Sequence, residues 1–407
     1  MELFNSKKYA VAVSLIAALV PLVFLSKMDV AFELPKVTFF RVAVDILALI
    51  FLMECFSKKI FPEPNKLWRD PIAISFSAFF LSQIVATFFS IAPFLSIFGS
   101  YQKLQGLLTL LHYAAFFYIA GVVMREKLNR HYALGAITIS ATAVSILAIL
   151  QRFGIDPFFG GWDSAFFLNR VFATLGHPNI LAGFLILGIG ALAGLAGQVG
   201  ESHNRSTDES NHPQRATGVL RYCGLSLILA IQLMALFLTQ SRAAIVALVA
   251  MIFFYCFLRV GRMRPSLYQP DSRPALVLIP IVISAALIIT YGLVFPHRVA
   301  PAGESLRSIE SRVDIWQAAV SAIAERPLLG HGLETFQIVS PGFLAAGFSE
   351  VELLNDGADR AHNEFLDIAV ASGLIGLTAY VIFLTVLFVT ALRTNSGNDN
   401  NNDGATH

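Results

Sequence analysis

The chain has 407 residues, of which 56% are hydrophobic and 14% charged, with a mean hydropathy of +0.67 and a formal net charge of +2. Soluble globular proteins carry about 25% charged residues, so this composition excludes an ordinary soluble domain, and the small net charge gives no footing for nucleic-acid binding. It predicts an all-α polytopic membrane protein, because apolar runs long enough to cross ~30 Å of hydrocarbon recur along the chain.

Such runs fall at about 9–25, 37–56, 71–89, 104–124, 132–150, 179–197, 222–239, 243–258, 275–295 and 374–392. They predict a bundle of about ten transmembrane helices. In the first run Pro21 is followed by bulky residues rather than a small-residue cleavage site, so it reads as an uncleaved span. With Lys7 and Lys8 inside, Lys58, Lys59, Arg125, Lys127, Arg259 and Arg262 also fall on inner segments. The short outer loops hold only Lys27, Lys36, Lys103, Arg152, Arg170 and Arg242. By the positive-inside rule this asymmetry places both termini in the cytoplasm. Cys55, Cys223 and Cys256 lie near the ends of apolar runs and read as small buried hydrophobes, not as a disulfide framework or a zinc site.

The expected organisation is a transmembrane bundle over 1–295, with a polar inner linker at 198–221, and an extracytoplasmic loop over 296–362. A re-entry segment and last transmembrane helix follow over 363–393, then a disordered cytoplasmic tail over 394–407. Within the outer loop, Ser311-Arg312-Val313-Asp314 has the pattern of a capping box opening a helix. Ile315, Trp316, Ala319, Val320 and Ile323 then give an apolar face at helical spacing, ended by Pro327. This predicts an amphipathic helix on the membrane surface or on the bundle.

Three places break the apolar pattern with groups able to do chemistry. Thr239-Gln240-Ser241-Arg242 interrupts a stretch from about 223 to 258 that is too long for one span and leaves almost no loop for two. Arg242 therefore sits at the outer end of a tight helical hairpin, either snorkelling to lipid phosphate or forming an anion site. Arg170 precedes Thr174, Gly176, His177, Pro178 and Asn179 at the start of the sixth run. It reads either as a loop arginine paired with Asp156 or Asp163, or as a second cation on one anion, while His177 reads as structural. Finally, Ala361-His362-Asn363-Glu364 returns the chain to the membrane. Histidine changes charge near neutral pH, so His362, oriented by Asn363 and Glu364, is a candidate proton acceptor beside the alternative of a structural role. No metal-binding spacing occurs in the outer segments, so no metal and no cofactor are expected, and arginines would have to meet the charge of any bound anion.

These residues resemble the O-antigen ligase and O-antigen polymerase superfamily of bacterial envelope glycosyltransferases. The resemblance rests on Thr239-Gln240-Ser241-Arg242-Ala243, on Arg326-Pro327 through Gly330-His331-Gly332 to Phe336, and on His362-Asn363 with Leu366, Gly373, Leu374 and Gly376. Arg170 with His177-Pro178-Asn179, and Arg312 with Trp316, add to it. It implies metal-independent, inverting transfer of a glycan from an undecaprenyl-diphosphate carrier to an acceptor hydroxyl at the outer face of the bacterial inner membrane. The acceptor would be a glycan, lipid A-core or protein, with membrane lipids as surroundings. Carried over residue by residue, Arg170 and Arg242 would bind the diphosphate, and His362 would take the acceptor proton or position the hydroxyl. Arg312 and Asn363 would contact substrate. Members commonly carry further helices after the His-Asn segment, whereas here one apolar run follows it.

Ligase, polymerase and protein O-oligosaccharyltransferase share these motifs. From other classes, a transporter or flippase for an envelope lipid or anion also suits outer arginines and broken helices, as does a non-catalytic envelope scaffold. Against transport, no internal repeat is evident, and Arg41, Asp45 and His112 are the plausible intramembrane polar groups.

Overall fold

The computed structural model describes residues 6–59, 69–155, 170–206, 212–261, 289–290, 294, 303–344 and 358–396. Every regular element among them is helical: α1 Ser6–Leu19, α2 Glu33–Lys58, α3 Pro71–Phe88, α4 Pro93–Phe98, α5 Leu107–Val123, α6 Lys127–Arg152, α7 Pro178–Ser206, α8 His212–Leu238, α9 Arg242–Gly261, α10 Gly303–Glu325, α11 Phe336–Val339 and α12 Glu364–Ser396. Four stretches, Pro71–Phe88, Lys127–Arg152, Pro178–Gly197 and Glu364–Arg393, are long and apolar enough to cross a membrane, and Leu107–Val123, Cys223–Leu238 and Arg242–Cys256 are shorter apolar helices. The chain is a helical membrane protein. The expected span at 275–295 lies largely outside the described residues, as does the tail beyond 396.

Two boundaries before residue 222 differ from the sequence expectation. The first helix ends at Leu19, because the chain tightens into a 3-10 turn over Val20–Leu22 around Pro21 and leaves it extended at Val23. The polar linker at 198–221 is helical on both sides of 207–211, since α7 continues to Ser206 and α8 begins at His212. Once a long apolar helix is nucleated, propagation into polar residues costs little.

Residues up to Leu52 and Ile119–Phe257 form one compact unit, and Met53–Tyr118 with the described residues from Gly303 onward form another. In the first, α6 packs on α1, α7 and α8. Ala141, Val144 and Ala148 of α6 meet Leu181, Leu185 and Ile189 of α7 and Ala235 and Leu236 of α8. Small residues let these helices close: a Cβ at Gly188 would lie 2.3 Å from the Ala141 Cβ. Gln232 is fully buried here and donates to Thr142 Oγ1 at 3.1 Å. Together with Gln83 of α3, which is also buried, it adds to the polar groups read within the apolar helices.

The second unit is built on α12, which packs against α3 and α10. Asp70 caps α3 by accepting from Ile72 N at 3.0 Å, with Pro71 at the first helical position. α12 is two helices joined at Ser372 and Gly373, and Gly373 has φ 66° and ψ −170°, a conformation reserved for glycine. The turn after α10 locks into this kink. His331 N donates to Val370 O at 2.8 Å, Gly332 N to Ala371 O at 2.9 Å, and Leu374 N to Pro327 O at 2.8 Å. The two backbones touch, since a Cβ at Gly330 would lie 2.5 Å from Val370 O.

α10 begins at Gly303, eight residues before the expected start, so Ser311 and Asp314 are interior positions and not a capping box. A capping box needs a non-helical residue at its head, and here the helix is already formed. Its inner face is Ile315, Ala318, Ala319 and Ala322, all buried, whereas Val320 faces outward. Ile315, Ala319 and Ala322 pack on Phe336, Val339, Ala361 and Val370, so the helix rests on its own unit, and α10 ends just before Pro327 as expected.

Candidate functional site

The sequence-derived residues fall into two clusters, one in each unit. Arg170 and Arg242 belong to the first, and Arg312, His362 and Asn363 to the second.

In the first unit, α8 and α9 are joined by Thr239, Gln240 and Ser241 alone. The turn closes because Gln240 takes a left-handed φ of 52° and Thr239 Oγ1 donates to Leu236 O at 2.7 Å while accepting from Ser241 N at 3.3 Å. Thr239, Gln240 and Ser241 are buried, and Arg242, the first residue of α9, is exposed. The chain thus turns between two apolar helices at the place read from the sequence.

Arg170 is drawn to the same turn. Its Nε donates to Thr239 O at 2.8 Å and its NH2 to Asn179 Oδ1 at 2.8 Å. Asn179 stands in the first turn of α7, where His177 Nδ1 accepts from its backbone N at 3.1 Å, so His177 acts as a cap. The two arginines thus belong to one corner, at which α9 presents its N-terminal amides. Cations at the positive end of a helix are unfavourable by themselves and become favourable when an anion occupies the corner. Asp156 and Asp163, the alternative partners for Arg170, lie outside the described residues.

In the second unit, His362 stands at the entrance to α12 with a left-handed φ of 50°. The residue before it is held on both backbone atoms: Trp316 Nε1 donates to Ala361 O at 2.9 Å, and Ala361 N donates to Asp367 Oδ1 at 2.7 Å. Asn363 Oδ1 accepts from Phe365 N at 3.1 Å, which makes Asn363 the cap of α12. Ala361 is fully buried, while the His362 imidazole is exposed. Arg312 is exposed on α10, one turn before Trp316. His331 of the glycine turn is buried and its Nε2–H donates to Ala322 O at 2.9 Å, so it serves the fold.

Beside His362 lies a cavity of about 370 Å³ lined by residues that sequence reading had not joined: Gln83, Lys103, Gln105, Tyr113, Glu334, Asp359, Arg360, Glu364 and Asp367 among them. Glu334 accepts from Ser100 N at 2.6 Å and from Gln105 N, fixing the 99–106 loop, and Arg360 donates to Gln105 Oε1 at 2.9 Å. Lys103 forms an ion pair with Asp359. Burial opposes the Asp359 carboxylate, but the hydrogen bond and charge of Lys103, with Arg360 and His362 behind it, hold its pKa below the ordinary carboxylate range. The one sequence signal for this wall was its closeness to His362; Lys103 and Asp359 are too distant in the chain for any local pattern.

Residues 227–381 match the family model described as O-antigen ligase, a stretch that includes Arg242, Arg312, His362 and Asn363 and leaves Arg170 outside. Comparison with curated proteins and with solved structures finds no match. The matched stretch contains both the Arg242 hairpin and the His362 corner, the motifs on which the resemblance was drawn, and it supports glycan transfer of the O-antigen ligase and polymerase type. Over residues 227–381 the chain is similar to the O-antigen ligase family.

Proposed function

We propose that the protein transfers a glycan from an undecaprenyl-diphosphate carrier to an acceptor hydroxyl at the outer face of the bacterial inner membrane, without a metal and with inversion. The observation that carries this reading is the Arg170–Thr239 hydrogen bond, which brings a second guanidinium to the corner from which Arg242 opens α9. Forked guanidinium hydrogen bonds neutralise a diphosphate as it leaves, a charge that grows in the transition state and rewards donors already in place.

In this account Arg170 and Arg242 bind the diphosphate, with Arg312 as a further substrate contact. The acceptor oxygen attacks the anomeric carbon from the face opposite the leaving group. The bond from that carbon to the diphosphate oxygen breaks, and undecaprenyl diphosphate departs with the electron pair. His362 takes the acceptor's proton. The corner formed by Trp316, Ala361 and Asp367 fixes the backbone that delivers the imidazole. Asn363 sets the start of α12, so its contribution is to place His362.

The full chain purified in detergent, given the lipid-linked donor and an acceptor oligosaccharide, is expected to form a new glycosidic bond and release undecaprenyl diphosphate in the presence of a chelator. A transporter or flippase has no second compartment in that assay and forms no bond. Release of the carrier only on metal addition would overturn the metal-free account.

A further inference from the structure

The cavity beside His362 differs in character from the arginine corner. Its walls hold four carboxylates, Glu334, Asp359, Glu364 and Asp367, against two cations, Lys103 and Arg360. Both cations are already engaged, Lys103 with Asp359 and Arg360 with the Gln105 side chain. Glu364 makes no hydrogen bond or ion pair among the described residues, and only one oxygen of Asp367, Oδ1, accepts from Ala361 N. The remaining wall supplies Tyr113 and Phe79 rings and the Gln83 amide. A diphosphate or any acidic group entering here would meet a wall in which carboxylates outnumber cations four to two.

Hydroxyl groups are suited to this wall. Each donates to a carboxylate or amide oxygen, while the C–H face of a sugar ring packs on an aromatic side chain. A volume of 370 Å³ is at the low end of small-ligand sites, which run about 300–1,000 Å³, so the cavity takes a short carbohydrate end. His362 interacts electrostatically with Asp359 and Asp367 of the same wall, which places the candidate base beside whatever occupies it.

We infer that this cavity is the subsite for the terminal sugar of the acceptor, and that it selects a neutral or amino sugar and rejects a phosphorylated or uronic acid one. The word acceptor rests on the glycan-transfer reading; the charge selectivity does not. Glu364 is its main specificity group, receiving ring hydroxyls, and Tyr113 its stacking platform.

The test has two readouts on the full-length chain. In a binding titration without donor, a neutral trisaccharide ending in a hexose is compared with its counterpart ending in a hexuronic acid. The neutral one should bind at least about tenfold tighter, and Glu364→Gln and Tyr113→Ala should each weaken it by about tenfold while the protein stays monodisperse. In the transfer assay, Glu364→Gln should raise the acceptor KM and leave the donor KM unchanged. Equal binding of the two trisaccharides, or a shift in donor KM instead, overturns the inference even if transfer is robust. Selective binding without any transfer leaves the subsite standing and removes the glycan-transfer reading. Absence of both removes both.

Discussion

The Nε–H of Arg170 donates to the carbonyl oxygen of Thr239 at 2.8 Å, three residues before Arg242 begins α9. A guanidinium makes this bond and the one to Asn179 at once because its donors are fixed in a fork. A lysine at this position has the charge but not the fork. Arg170→Lys is therefore expected to leave the protein folded and inserted while lowering kcat/KM for the lipid-linked donor by about tenfold or more, since a hydrogen bond to a charged group is worth roughly 1.5–3 kcal/mol. Steady-state transfer kinetics check this, and an unchanged donor kcat/KM would reduce Arg170 to a spectator.

Trp316 is expected to act on His362 through Ala361. Trp316→Phe removes the donor to Ala361 O and leaves a carbonyl of a fully buried residue without that partner, a loss of about 1–3 kcal/mol in local order. Because the effect is on positioning, kcat should fall with little change in either KM, and hydrogen exchange should quicken over the segment around 358–363. Equal losses in kcat and donor affinity would point instead to general damage.

Gly373 is expected to tolerate no side chain. Its φ and ψ lie in a region that other residues occupy at a cost of about 1–3 kcal/mol, and an added Cβ would sit 2.1 Å from the Leu328 carbonyl oxygen. Both elements are backbone, so neither can swing aside. Gly373→Ala should lower the thermal midpoint in detergent clearly, whereas Gly342→Ala, where a Cβ would meet nothing within 4 Å, should not.

The helices were legible because hydrophobic runs of membrane length leave few alternatives, and the Arg242 corner was legible because four polar residues interrupt such a run. The kink at Ser372 and Gly373 was not read from the sequence, where Gly373 entered only as part of the resemblance. The capping box was misread because Ser-x-x-Asp is a short pattern that also occurs inside helices, and only the residues before Ser311 decide between the two. Of the cavity wall only Glu364, next to His362-Asn363, was singled out in the sequence. Lys103 meets Asp359 and Glu334 meets Ser100 only after folding, and nothing local in either segment encodes the partner. Asn363 was read both as a substrate contact and as a residue that orients His362, and its side-chain oxygen accepts from Phe365 N at the start of α12.

The Lys103–Asp359 ion pair joins the 99–106 loop to the segment before His362 and should respond to pH. The Asp359 pKa is lowered in the folded state, so its stabilising contribution is present above the unfolded carboxylate value and is lost as pH falls through the lowered one. Hydrogen exchange of the 99–106 loop should stay slow at neutral pH and quicken on acidification below the ordinary carboxylate range. Lys103→Ala should raise the pH at which this begins, since burial is then opposed only by the charges of Arg360 and His362.

Arg242 and His362 carry the central claim, that a cationic corner and a base on two different motifs serve one transfer. The most direct measurement is glycan transfer by Arg242→Ala and His362→Ala, each reconstituted in detergent at matched amounts and verified as folded and membrane-inserted. Both variants are predicted to lose transfer while keeping the thermal midpoint of the parent protein; full transfer by either, at parent levels, would contradict the account.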